Sequence, residues 1–110
     1  MKKLLLLICL LQVGITTLAQ LTVFEKSNGK KTATYDEIID WYETMAKSSS
    51  KIKLLDMGPT DAGYPLQLAV VSGNGQFDTA GWRRHNKIVI LINNGIHPGE
   101  PDGIDASMML

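Results

Sequence analysis

The stretch KIVILINNGIHPGEPDG, residues 87–103, decides the predicted fold because it joins an apolar run to two polar side chains that could share an ion. Ile88–Ile92 is entirely apolar, mostly β-branched and without alternation. This pattern is typical of a central strand that is covered on both faces. In open α/β sheets, ligands bind just beyond the carboxyl ends of such strands. His97 and Glu100 follow the run at that position.

The residues between and beside this pair favour a shared binding point. Pro98 disfavours helical torsions at His97 and keeps it extended, and Gly99 lets the backbone turn tightly. Pro101 has a φ suited to the first position of a helix, so we expect Glu100 at or near the N-cap. Zinc accepts imidazole nitrogen and carboxylate oxygen at about 2 Å. The spacing therefore predicts that His97 and Glu100 bind one metal ion.

A simpler interpretation of the pair stays open, because an H-x-x-E spacing is common by chance. His97 could be a loop histidine bonded to the backbone, and Glu100 could be a simple N-cap. The position after an apolar strand favours the metal interpretation. Asp102 and Asp105 are interpreted as acids of the first helical turn, and a role for Asp102 in supporting a ligand is left open.

Two regular elements are predicted upstream of the strand. Thr34 as N-cap, with Glu37 three residues later, is typical of a capping box that begins a helix. An antiparallel hairpin is expected from short strands at 51–57 and 65–72, with Gly63 available for a positive φ in the turn between them. One apolar stripe of the helix is formed by Tyr35, Ile38, Ile39, Tyr42, Met45 and Ala46.

The remaining segments are expected to be loops or the start of a further element. Residues 20–33 are predicted to be extended or loose, and residues 73–86 to be a surface loop. Arg83, Arg84 and His85 in that loop could contact an acidic group, but a solvated loop face is the favoured interpretation. The composition of residues 104–110 is helical. One helix, a hairpin and one buried strand cannot cover both faces of a parallel sheet, so we expect the opening segment of a larger α/β domain.

The first 19 residues are predicted to be a secretory signal peptide. Lys2 and Lys3 precede an apolar run that is too short to span a bilayer, and Thr17–Ala19 offers small residues at the cleavage-determining positions. Cleavage is expected before Gln20, which implies a secreted or periplasmic protein without a stable membrane anchor. The alternative is a lipoprotein anchor at Cys9, but that cysteine follows bulky Ile8 within the apolar run.

The composition indicates which partners the protein could bind and what could stabilise its fold. The formal net charge is zero, which argues against nucleic acid as a partner. Cys9 is the only cysteine, so the chain after the signal peptide contains no disulfide and must rely on a packed core. A chain this small buries a modest fraction of its surface and is expected to be marginally stable.

The stretch NNGIHPGEPDG, together with TATYDEIIDWYETMA and LLDMGPTDAGYPLQLAVVS, resembles the N-terminal part of the zinc carboxypeptidase family over residues 32–110. The resemblance implies a mixed-sheet α/β domain in which a helix, a β-hairpin and a central strand lead to an H-x-x-E element. It also implies zinc as cofactor and His97 and Glu100 as its first two ligands, in the His₂Glu set known for carboxypeptidase A. Many family members carry a bulkier, often arginine-containing pair where this chain has Pro98 and Gly99.

By this resemblance, residues 20–110 are the N-terminal portion of a truncated secreted metallocarboxypeptidase that hydrolyses the C-terminal bond of a peptide or protein substrate. The family's third ligand, a histidine, and its glutamate base lie far downstream of the motif. The ten residues after Glu100 include no His, Arg or Glu. We therefore expect no catalytic residue and no peptidase activity in this chain alone. The alternatives are a zinc-dependent amidase that deacylates small acyl-amino acids, and an inactive secreted binding module.

Overall fold

The computed structural model describes residues 20–110, and the predicted signal peptide at residues 1–19 lies outside that range. The chain is mixed α/β with a two-stranded antiparallel sheet. None of the helices in residues 20–110 is long and apolar enough to cross a membrane. The elements follow the order α1 (Val23–Lys26), α2 (Tyr35–Ser48), β1 (Ile52–Pro59), β2 (Pro65–Val71), α3 (Thr79–Arg84) and α4 (Asp102–Met109).

Helix α2 begins at the predicted capping box. The Thr34 side chain accepts a hydrogen bond from the Glu37 N–H, and Glu37 Oε2 accepts one from the Thr34 N–H at 2.8 Å. Two bonds to the Glu37 carboxylate hold its pKa below the ordinary value: the bond from the Thr34 N–H is the main cause, and a bond donated by the Thr34 hydroxyl is the second. The residues of the predicted apolar stripe are half-buried, as an amphipathic helix requires.

The predicted hairpin forms with close to the predicted boundaries. The register pairs Ile52 with Val71 and Leu55 with Leu68, with an irregularity between Asp56 and Pro59. Helix α2 contacts β1 and covers one face of the sheet. The other face leaves large apolar side chains exposed, including Leu55 and Leu68. Gly63 has the expected positive φ, at +79°.

Two short helices occupy segments that were expected to be loops. Helix α1 is capped by Thr22 and Glu25 in a second capping box, the same T-x-x-E signal that begins α2. Helix α3 begins after Asp78, whose carboxylate accepts hydrogen bonds from the N–H groups of Ala80 and Gly81. The prediction of a loose segment at 20–33 and of a helix-free loop at 73–86 was therefore wrong in these two places.

The prediction of a covered central strand at Ile88–Ile92 is not met in the described chain. The sheet of residues 20–110 contains β1 and β2, which pair with each other, and Ile88–Ile92 belongs to neither a strand nor a helix. Its five side chains are between 53% and 90% exposed. A strand exists only where a neighbour supplies hydrogen-bond partners, and the described residues place none beside this run.

Helix α4 forms where a helical segment was expected and is tied to α2. The Tyr42 hydroxyl donates a hydrogen bond to the Ser107 carbonyl at 3.3 Å, and burial of Tyr42 raises the pKa of its phenol. Met108 is the buried hydrophobic side chain of the described residues, at 3% exposure. These contacts fix the helix that follows Glu100 against the rest of the chain.

Candidate metal centre

The loop that carries His97 turns at two glycines with positive φ. Gly95 has φ +66° and Gly99 has φ +81°, a region that disfavours residues with a Cβ. Gly99 therefore provides the tight turn predicted between His97 and Glu100. Gly95 also lies so close to α4 that an added Cβ would stand 2.7 Å from Ile104 Cδ1.

The structure brings the two predicted ligands into contact. His97 Nδ1 lies 3.1 Å from Glu100 Oε2, and both side chains are about two-thirds exposed. The N-cap of α4 is Pro101, and no side chain makes a capping hydrogen bond there. Glu100 precedes the N-cap by one residue, so its carboxylate bonds to His97 and does not cap the helix.

The donors and their separation fit a zinc ion. Two donors at about 2.0–2.1 Å from a tetrahedral zinc are themselves roughly 3.3–3.4 Å apart, which is within a few tenths of an ångström of the 3.1 Å seen here. Imidazole nitrogen and carboxylate oxygen are both ordinary zinc donors. His97 and Glu100 could therefore hold a metal ion as a pair through Nδ1 and Oε2.

An asparagine that the motif did not single out anchors the loop to α4. Asn94 Nδ2 donates a hydrogen bond to Ser107 Oγ. Asn94 Oδ1 lies close to Gly103: a Cβ added at Gly103 would stand 2.7 Å from that oxygen. No local pattern in the sequence indicated a partner for Asn94 that lies 13 residues later.

The two acids of α4 differ in their surroundings. Asp102 is exposed in the first turn, as expected of an acid that interacts with the positive end of the helix dipole. Asp105 also lies in the first turn but is only 5% exposed, and its Oδ1 has no hydrogen-bond partner in the described chain. The burial of Asp105 was not predicted, because the sequence analysis interpreted both acids alike, as acids of the first helical turn.

A cleft of about 230 Å³ lies beside the pair. Thr32, from the segment before α2, and Ile104, from the first turn of α4, line it together with His97 and Glu100. Neither Thr32 nor Ile104 was identified from the sequence. The cleft leaves the two donors open to solvent on one side, where a further ligand could approach.

The remaining candidates do not join this centre. Arg84 lies 3.5 Å from Asp78 in an exposed ion pair, and His85 is the C-cap of α3. Within residues 20–110, no group of three or more His, Cys, Asp or Glu side chains is placed to hold a metal ion. The described chain therefore offers a two-donor centre.

Comparison of the chain with family models, with curated proteins and with solved structures gives no match. The geometry of residues 94–107 is therefore the basis for a functional proposal.

Proposed function

We propose that this chain carries the first two zinc ligands of an exported zinc metallocarboxypeptidase, and that His97 and Glu100 are those ligands. The observation that carries the proposal is the 3.1 Å approach of His97 Nδ1 to Glu100 Oε2. The substrate class is the C-terminal peptide bond of a peptide or protein. The third ligand and the general base are assigned to residues that this chain does not contain.

The roles of the chain's own residues follow from their chemistry. His97 and Glu100 would hold the metal, and the Gly95 and Gly99 turns would set the direction of the two side chains. Asn94 would keep the loop against α4 through Ser107. A bound zinc would supply Lewis acidity, which polarises a scissile carbonyl and lowers the pKa of a bound water to about 7.

The exposed apolar surfaces support assignment to a larger domain. One face of the hairpin and all of Ile88–Ile92 expose large apolar side chains. Soluble proteins rarely leave contiguous apolar surface of this kind uncovered. An enzyme domain in which further strands and helices cover these surfaces would also bring additional ligands to the cleft beside His97.

Zinc titration followed by NMR tests the ligand assignment without relying on catalysis. The chain contains two histidines, His85 and His97, so its imidazole signals can be assigned by substitution. Zinc should shift the His97 ring signals first, while the His85 signals serve as the internal reference. Glu100→Gln, which keeps the shape but removes the anionic oxygen, should weaken zinc binding by at least about tenfold.

His97→Ala should abolish the response, and the matched variant His85→Ala should retain it. The proposal fails if Glu100→Gln binds zinc as tightly as the unchanged chain, because the contact with His97 would then be a structural hydrogen bond. It also fails if His85 responds before His97. A sequence continuing beyond Leu110 would distinguish a carboxypeptidase from an amidase by its substrate-binding arginines.

A further inference from the structure

Gln20, the first residue after the predicted cleavage point, lies against the folded part of the chain. Its carbonyl oxygen accepts a hydrogen bond from the indole Nε1 of Trp41, on α2, at 3.2 Å, and the residue is half-buried. Thr22, two residues later, is 1% exposed and begins the capping box of α1. Cleavage before Gln20 therefore creates an amino terminus that is anchored to α2 and lies within two residues of a buried position.

We propose that residue 20 of the exported chain is converted to pyroglutamate. The α-amino nitrogen of Gln20 attacks the side-chain amide carbon Cδ, so the N–Cδ bond forms and the Cδ–Nε2 bond breaks. The amine passes one proton to the departing nitrogen, which leaves as ammonia, and no oxidant, reductant or other co-reactant is needed. An α-amino group titrates near neutral pH, so part of it is uncharged and nucleophilic there. The product is a five-membered lactam without a terminal charge.

The contacts of Gln20 leave both reacting groups free. Within residues 20–110, neither its backbone nitrogen nor its side-chain carboxamide makes a hydrogen bond. The contact with Trp41 uses the carbonyl oxygen, which ring closure does not consume. Cyclisation therefore breaks no hydrogen bond within the described residues, and the anchor to α2 is kept in the product.

The short distance from this terminus to the cap of α1 gives the modification a role. An aminopeptidase requires a free α-amino group, and pyroglutamate presents none. Removal of Gln20 and Leu21 would delete the contact with Trp41 and would turn the backbone N–H of Thr22, which bonds to Glu25 Oε2 at 2.8 Å, into a chain terminus. A cyclised residue 20 protects the capping box from this trimming.

Mass spectrometry of the freshly exported chain tests the proposal. The intact mass should be lower, by the mass of one ammonia molecule, than that of a chain beginning with unmodified Gln20. Measurement before digestion excludes ring closure during sample handling. The tryptic peptide QLTVFEK, residues 20–26, should then carry the loss at its first residue, which fragmentation identifies in either form. Exported chain with unmodified Gln20 would overturn the proposal and leave the signal peptide standing, whereas a chain beginning at another residue would overturn both.

Gln20→Asn is the matched control. It keeps the carboxamide but shortens the side chain by one methylene, so ring closure would need a strained four-membered lactam, and the variant should keep its free α-amine. With added aminopeptidase, the unchanged chain should retain residues 20–22, and Gln20→Asn should lose them. Equal trimming of the two chains would refute protection by the lactam, and the same ammonia loss from Gln20→Asn would refute ring closure at residue 20.

The inference rests on the export included in the proposed function and not on zinc binding. His97→Ala, which should abolish the zinc response, should therefore show the same loss of ammonia as the unchanged chain. A failure of the zinc assignment thus appears in the titration alone, and a failure of this inference appears in the mass of residue 20 alone. Loss of the modification in His97→Ala would contradict an origin in the chemistry of Gln20 itself.

Discussion

Removal of the Thr34 hydroxyl should destabilise α2 by a measurable amount. In Thr34→Ala the chain loses the acceptor for the Glu37 N–H, at 3.4 Å, and the donor to Glu37 Oε2, at 3.0 Å. N-cap substitutions of this type lower stability by roughly 0.5–2 kcal/mol. Because the accepting bond is long and the site is exposed, we expect about 0.5–1 kcal/mol. In a chain of this size that corresponds to a fall in Tm of about 2–8 °C.

The matched control is Thr44→Ala, a threonine-to-alanine substitution in the interior of the same helix. Thr44 Oγ1 donates to the Asp40 carbonyl at 2.8 Å within the helix, so Thr44→Ala removes a hydroxyl without removing a cap. Alanine is the better helix former at an interior position, and we therefore expect Thr44→Ala to be neutral or slightly stabilising. Urea unfolding followed by far-UV circular dichroism measures both variants. Equal destabilisation by the two substitutions would refute a capping role for Thr34.

The capping box also predicts a dependence on pH with a definite sign. Hydrogen bonds from Thr34 lower the pKa of Glu37 in the folded chain. The stabilisation by Glu37 is therefore complete above its ordinary pKa of 4.5 and is lost as the pH falls through the lowered folded-state value. Thr34→Ala keeps the backbone bond to Glu37 and should reduce this acid sensitivity, whereas Glu37→Gln should remove it. Greater acid sensitivity in Glu37→Gln than in the unchanged chain would contradict the assignment.

Two further outcomes are expected. Gly99→Ala should lower the free energy of unfolding by about 1–2 kcal/mol through its positive φ alone, because nothing lies within 4 Å of the added Cβ. Gly95→Ala should lower it by about 2–3 kcal/mol, because its added Cβ also meets Ile104. Adding Ile104→Val to Gly95→Ala should restore part of the difference between the two glycine variants. Equal effects in urea unfolding would exclude the contact with Ile104. N-terminal sequencing of exported material should give Gln20, and an intact Met1 would contradict the predicted signal peptide.

The elements that could be predicted from the sequence are those determined by near neighbours. The Thr34 and Glu37 box is contained within four residues, and the hairpin turn needs the positive φ of Gly63, which is equally local. The Thr22 and Glu25 box gives the same signal in the same spacing. It was overlooked because α1 is a single turn without the apolar stripe that accompanies the signal in α2.

The run at Ile88–Ile92 shows the limit of a composition pattern. Five consecutive apolar residues indicate that a segment requires cover on both faces. They do not specify which residues supply that cover, because sheet partners are distant in sequence and are not encoded in the strand itself. In residues 20–110 the two strands that form have paired with each other. The pattern therefore predicts that the run needs neighbouring strands, and it does not predict which segments supply them.

The approach of His97 to Glu100 was predictable for a local reason, since Pro98 and Gly99 restrict the turn between them. The hydrogen bonds that Ser107 makes with Asn94 and Tyr42 could not be predicted, because these partners lie 13 and 65 residues away from it in the sequence. The structure also changes what a substitution at Glu100 can reveal. Pro101 is the N-cap of α4 and has no side-chain capping bond, so Glu100→Gln removes no helix cap. A loss of zinc affinity in that variant would therefore report on the carboxylate as a metal donor and not on the stability of the helix.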